Sequence, residues 1–392
     1  MKAKRILVQA LVAIVLVTVP AMQSCNLVDS IFDDDKKVLN KFHFDVDLFD
    51  QNIQNGLGTQ WSGYSYVINV NGNLSRTRSF GNWVNGAQVV NAHRDSMVYA
   101  ASVSKLITAI AALKAMDEEL SGAEDVLDNP IFWYLPSQWT FSESFKTITV
   151  RQVMRHRTGF PGGADATYNA VKNLVAQPVP NTNYMYSNAN FGLMRVAWTG
   201  LMHGFFPYPM MNDAQIDETT IQEYELYCRT KLFNPLGITV NTNGRSATVY
   251  YNAANGNITG PTAIGDRSTR LGSGGWYISP AGVAKLMAYL NNTEQILSAS
   301  TRELLYDNFF GLSDGAAPNN TPDGTYGVYY TKGGTFCING PNGCSGVRNA
   351  VIIFPNNVEL VFMANSRGGN TDNGTTFHQM FYQAFDNAWV EE

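Results

Sequence analysis

The chain has 392 residues, of which 45% are hydrophobic and 15% charged, with a formal net charge of −5. That composition suits a globular protein with one large core or two interleaved ones. Mild acidity, with no long Lys/Arg run after the N-terminus, leaves no electrostatic footprint for nucleic acid. The five histidines are scattered, and no Cys-x-x-Cys pair or His-Glu-x-x-His segment occurs, so no metal is expected.

In chain order, the first feature is a leader. Lys2, Lys4 and Arg5 precede an apolar run from Ile6 to Val19. The run is short for a membrane span and suits a secretory signal. It ends in Met22-Gln23-Ser24-Cys25, which resembles a bacterial lipobox. Residues 1–24 are therefore expected to be removed and Cys25 to carry a lipid, with simple secretion as the alternative. Residues 25–40, with Asp33-Asp34-Asp35-Lys36-Lys37, read as a polar tether. The expected product is an exported, membrane-anchored protein facing the periplasm or the cell exterior.

Tyr64 to Val70 alternates weakly and ends in Asn71-Gly72-Asn73, a hairpin signal. From Ser102 to Glu119 the period is helical, with Leu106, Ile107, Ile110, Leu113 and Met116 as one apolar stripe. Thr149–Arg155, Ala281–Leu290 and Phe377–Trp389 also read as helices. The stretch from about 120 to 270 reads as loops with helical pieces. Within it, Leu201–Asp217 carries Phe205, Phe206, Tyr208, Met210 and Met211, which suit the edge of a cleft or the filling of a core. Strand-like runs follow at Thr325–Lys332, Ala350–Phe354 and Glu359–Ala364. Strands at both ends around a helical middle predict an α/β (α+β) domain over residues 41–392. Its α/β part spans 41–120 and 270–392, and its mostly helical part spans 121–269. Cys337 and Cys344 flank a turn-rich Ile-Asn-Gly-Pro-Asn-Gly loop and can bridge in an oxidising compartment. Cys228 reads as a small buried apolar residue.

Three short patterns carry chemistry. Ser102-Val103-Ser104-Lys105 opens the clearest helix, and a spacing of three puts Ser102 and Lys105 on one face. A hydroxyl nucleophile needs a neighbour to take its proton, and helix N-terminal amides stabilise a developing oxyanion. Tyr186-Ser187-Asn188 precedes a helical run; a tyrosine can relay a proton and an asparagine can hold a substrate amide. In Lys332-Gly333-Gly334-Thr335 the glycines admit a substrate backbone and the lysine offers charge to a carboxylate. Each pattern alone has a plainer explanation: a solvated lysine after a serine-rich turn, a loop, a strand-end lysine. The ordered set is hard to reach by chance. A fourth pattern, Gly311-Leu312-Ser313-Asp314-Gly315, fits Gly-x-Ser-x-Gly, but loop residues follow where an elbow needs a helix. It reads as coincidence.

The set S-x-x-K, Y-x-N, K-x-G resembles the serine beta-lactamase and penicillin-binding protein superfamily, on its class C, D,D-peptidase and esterase side. Tyr99–Ala109, Ile148–Gly159, Asn234–Gly237 and Gly274–Pro280 are similar to segments of that family too, so the resemblance runs from about residue 50 to the C-terminus. It implies an antiparallel sheet flanked by helices, with a mostly helical inserted part. Ser102 would be acylated, and Lys105 and Tyr186 would share the proton transfers. Asn188 would orient the substrate amide, and Lys332 would sit near Tyr186 and the substrate carboxylate, within a binding strand that includes Gly333 and Gly334. The backbone amides of Ser102 and Thr335 would form the oxyanion hole. His156 is expected to be structural, and no cofactor is expected. Lys-Gly-Gly replaces the family's usual Lys-Thr-Gly, and no Glu-x-x-Leu-Asn segment exists. The expected function is a serine hydrolase acting on amides or esters, D,D-peptidase-like or esterase-like, with a small-molecule or peptide substrate of the cell wall. The alternatives are a true class C-type beta-lactamase and a catalytically idle surface-binding protein.

Overall fold

The hairpin expected at Asn71-Gly72 joins β1 (Gly63–Val70) to β2 (Asn73–Val84) at one side of a six-stranded antiparallel sheet. The structure is a computed structural model that describes residues 42–58, 61–84, 89–243, 264–313, 323–324, 326–340, 343–367 and 374–391. The expected leader, Cys25 and the tether lie outside the described residues. A two-residue piece, β3 (Val90–Asn91), extends β2. The C-terminal part adds β4 (Tyr330–Gly340), β5 (Gly343–Phe354) and β6 (Val358–Ala364). The order is β4-β5-β6-β1-β2-β3. β6 pairs with β1 from Val358↔Val70 to Ala364↔Tyr64, so distant parts of the chain share one sheet. Both strands are buried almost residue by residue, since both faces are covered, which is why the alternation of β1 is weak in the sequence.

One strand differs from expectation. Thr325–Lys332 does not form a single strand; the long pairing begins at Tyr330 and continues to Gly340. Lys332-Gly333-Gly334-Thr335 thus lies inside a strand and not at its end, and the ladder with β5 holds the two glycines extended. Among the described residues, β4 has a neighbouring strand on one side only.

On one face of the sheet lie α1 (Val46–Leu57) and the C-terminal helix. Asp45 caps α1 by accepting from the amides of Asp47 and Leu48. On the other face α2 (Ser104–Glu119) runs through the core. The single apolar stripe expected of α2 understates it: every residue from Ser104 to Leu113 is buried. Its alanines at 109, 111, 112 and 115 bring neighbouring elements close on several sides. α3 (Asn188–His203) and α4 (Asp213–Tyr227) supply much of the helical middle, where the sequence showed helical pieces among loops. α5 (Pro280–Asn292) lies across β6 and β1. The last helix, α6 (Gly374–Asp386), stops before Trp389. Trp389–Glu391 instead pairs antiparallel with Phe42–Phe44, so sheet pairing captures the residues that looked like the helix's last turn.

Candidate active site

Ser102 sits in a single 3-10 turn, Ala101–Val103, directly before α2. Ala101 has φ +48°, a conformation that strains a residue with a Cβ. Its surroundings hold it there. The Ala100 amide donates to the Trp276 carbonyl at 2.9 Å. Asn349, from β5, donates its side-chain amide to the Tyr99 and Ala100 carbonyls at 2.9 and 3.1 Å. Gly334 stands opposite Asn349 in the β4–β5 ladder. A Cβ at Gly334 would fall 2.4 Å from the Ala100 carbonyl oxygen, so only glycine lets β4 come this close to the serine turn.

Lys105, the second residue of α2, is fully buried. Its Nζ meets three oxygens: Ser102 Oγ at 3.0 Å, Asn188 Oδ1 at 2.8 Å and the Ser273 carbonyl at 2.7 Å. None is a carboxylate. Burial without an opposing charge pushes the amine down from 10.5 to about 7.

Tyr186 reaches the same serine from a loop that ends at the start of α3. Its hydroxyl donates to Ser102 Oγ at 2.8 Å. Nζ of Lys105 lies 5.2 Å and Nζ of Lys332 5.3 Å from its ring centre. His156 packs against the same ring, with centroids 4.6 Å apart. The His156 Nδ1 accepts from the Ser187 amide at 3.2 Å and lies 3.1 Å from Asn190 Nδ2. That leaves the proton of the neutral ring on Nε2, by assignment from the network. Burial, then the charges of Lys332 and Lys105, hold His156 well below 6.5. It is thus a neutral support beneath Tyr186, fixed in turn by Thr158 donating to Asn190 at 2.6 Å.

Lys332 is buried on β4, and among the described residues no hydrogen bond or ion pair engages its ammonium. Burial lowers it to about 8; Tyr186 opposes that shift and Lys105 adds to it. Gly333 lies against a side chain from the last helix. A Cβ there would lie 3.0 Å from Cε1 of His378, whose ring fills that space from α6. Burial, then Arg348, brings His378 down to about 4. Thr335 is exposed at the strand edge.

The structure therefore brings Ser102, Lys105, Tyr186, Asn188 and Lys332 to one place, with Gly334 beneath them. Sequence reasoning missed three supporting groups. The Ser273 carbonyl comes from Gly272–Gly275, whose glycine density is a sign of close backbone approach. Asn349 is a polar residue within an apolar strand, a pattern that calls for a buried partner. His378 carried no signal. Other expectations resolve away from the site. In the loop after α3, Tyr208 bonds to Glu223 and packs on Phe206, and the Met211 carbonyl accepts from Gln138 at 3.2 Å. Those residues anchor the loop to α4 and to residue 138, while Phe205 and Met210 are exposed. Gly311 and Ser313 follow a helix (Ala299–Asp307), so the strand an elbow requires is missing; Asp314 and Gly315 lie outside the described residues. Cys228 is a buried free thiol. Cys337 is disulfide-bonded, whereas the side chain of Cys344 lies outside the described atoms. No group of three or more metal-binding side chains occurs among the described residues.

The Beta-lactamase family model matches residues 49–205. A beta-lactamase/D-alanine carboxypeptidase from Yersinia pestis superposes with a TM-score of 0.62 at 16% identity, over 90% of this chain and 99% of that one. This chain has the beta-lactamase/transpeptidase-like fold. A class C beta-lactamase from Rhodobacter sphaeroides aligns at TM-score 0.58 and 16% identity, over 86% of this chain and 97% of its own. EstCE1, a hydrolase with promiscuous acyltransferase activity, aligns at TM-score 0.61 and 14% identity, over 87% and 99%. No curated protein sequence matches.

Proposed function

We propose that this beta-lactamase-related protein is a serine hydrolase that works through an acyl-enzyme on Ser102. The observation that carries the reading is the donor count at Lys105. A neutral amine has two hydrogens and one lone pair. Asn188 Oδ1 and the Ser273 carbonyl are pure acceptors, so they take both hydrogens. The lone pair is left facing Ser102 Oγ at 3.0 Å. In that state Lys105 accepts the serine proton as Oγ attacks a carbonyl carbon, and an amine at about 7 is substantially neutral at physiological pH.

The negative charge moves to the carbonyl oxygen, where the amides of Ser102 and Thr335 are the proposed donors. Tyr186, bonded to the same Oγ, passes a proton to the departing nitrogen or oxygen as the old bond breaks. Lys105 then returns its proton to Tyr186; water attacks the Ser102 ester and gives a proton to the Lys105–Tyr186 pair, which passes it to Ser102 Oγ as the ester bond breaks and the acid leaves. Lys332, beside Tyr186 and unpaired, suits an anionic group near the leaving side, so D-amino-acid peptides of the cell wall and related esters fit best. Export and lipidation at Cys25 would put the enzyme where such peptides lie.

The test compares wild type with Ser102→Ala on a chromogenic ester, a D-alanyl-D-alanine peptide and a chromogenic cephalosporin. Ester or peptide turnover that vanishes in the variant, with the cephalosporin giving only a slow burst, is the expected pattern. Steady cephalosporin turnover would move the assignment to a true beta-lactamase. Equal activity in both proteins would end it. In cells, Cys25→Ala should shift the protein from the membrane pellet to the soluble fraction.

A further inference from the structure

The segment that delivers the Ser273 carbonyl to Lys105 also carries Arg267. The Arg267 guanidinium carbon stands 4.6 Å from the Phe336 ring centre and 6.0 Å from that of Tyr99. The two rings meet edge-on at 5.4 Å. The chain beneath is pinned: the Arg267 amide donates to the Thr242 carbonyl at 2.9 Å, and Tyr277 donates its hydroxyl to the Gly265 carbonyl at 2.7 Å. A guanidinium stacked on aromatic rings loses little freedom when it then binds an anion. Among the described residues no carboxylate meets it, and its Nε has no partner. The acids nearby in sequence and space are committed elsewhere. Asp165 pairs with Arg270 at 3.1 Å, and Asp266 accepts from the Ser268 amide at 2.8 Å.

The position of Arg267 relative to the serine gives the direction of the substrate. Along β4, residues 332, 334 and 336 share one face. Lys332 stands beside Tyr186, Gly334 against Ala100, and Phe336 under Arg267. The group that protonates the departing atom is at the Lys332 end. The retained acyl part must then run the other way, past Thr335 to Phe336. We infer that Arg267 is a specificity residue for the acyl side, binding a carboxylate carried on that part of the substrate. The inference rests on the acyl-enzyme reading above.

Two 4-nitrophenyl esters of adipic acid test it, one with the distal carboxylate free and one with it capped as a methyl ester. Wild type should favour the free acid in kcat/KM by about tenfold, the worth of one charge-assisted contact. Arg267→Met keeps an apolar chain on Phe336; it should abolish that preference while holding the capped ester within about twofold. Arg267→Lys, charged but not planar, should fall between. A wild type with no preference, a preference that survives Arg267→Met, or an equal loss on both esters would overturn the inference. The parent reading fails on a different result, hydrolysis of the capped ester by Ser102→Ala.

Discussion

On one face of the central sheet, α1 and α6 close over rings. Phe354 stacks on Phe385 with centroids 4.3 Å apart, and Phe49 meets both edge-on at 5.6 and 5.8 Å. The buried acid on that side, Asp50, is answered by Tyr66 at 2.7 Å and by Arg78 at 2.6 Å. On the other face, against α2, two buried lysines have no acid. Lys105 touches only neutral oxygens, and Lys332 lies against a tyrosine ring. Desolvated charge of this kind opposes folding. One sheet thus carries a buried acid met by a cation on one face and two buried lysines without an acid on the other, an arrangement common where pKa values are tuned for chemistry. The contrast can be broken in either direction.

The largest effect should come from Lys105→Met. Removing the proton acceptor should lower kcat by about a thousandfold or more, in the range found when a member of a catalytic set is deleted. The urea midpoint should not fall, because an amine that resists burial is removed as well. A strongly lowered midpoint with activity retained would mean that Lys105 serves the fold. Phe385→Ala is the opposite case. It should cost about 3–5 kcal/mol of stability, with kcat per folded molecule within about twofold. Asn349→Leu keeps the forked side-chain outline but removes the donor to the Tyr99 and Ala100 carbonyls. With the Ala101 turn less restrained, kcat should drop about tenfold, the scale of one buried polar group left unpaired. The pH limbs should stay where they are.

The smallest effect is the pH profile itself. Both lysines are depressed, so the useful forms are Lys105 without its proton and Lys332 with one. Activity should rise as pH passes about 7 and decline above about 8. These limbs belong to the coupled set rather than to single residues. Lys332→Gln should remove the alkaline limb and keep the acid one; loss of the acid limb instead would exchange the two roles.

Much of the reactive face was legible because its residues sit at spacings that chemistry enforces: Ser102 and Lys105 one helical turn apart, and Tyr186 just before the amides that open α3. The hairpin at Asn71-Gly72 was legible for a similar local reason. What the sequence hid depends on tertiary contact. The run of the Lys-Gly-Gly strand on to Gly340 depends on its ladder with β5, and the space beside Gly333 is filled by a histidine 45 residues further on. Asn349 holds carbonyls about 250 residues earlier in the chain. Pairing of Trp389–Glu391 with Phe42–Phe44 cut short a helical pattern that is locally continuous. Periodicity reports faces, and it does not report which distant element covers them.

The central claim is that one hydroxyl carries the substrate's acyl group. Treating the protein with a fluorophosphonate at pH 8, digesting it, and weighing the peptides locates the modified side chain. The account predicts a single phosphonate adduct on the peptide containing Ser102, formed far more slowly at pH 5.5, where Lys105 is protonated. An adduct on another serine, Ser313 included, or equal labelling of Ser102→Ala, would contradict it.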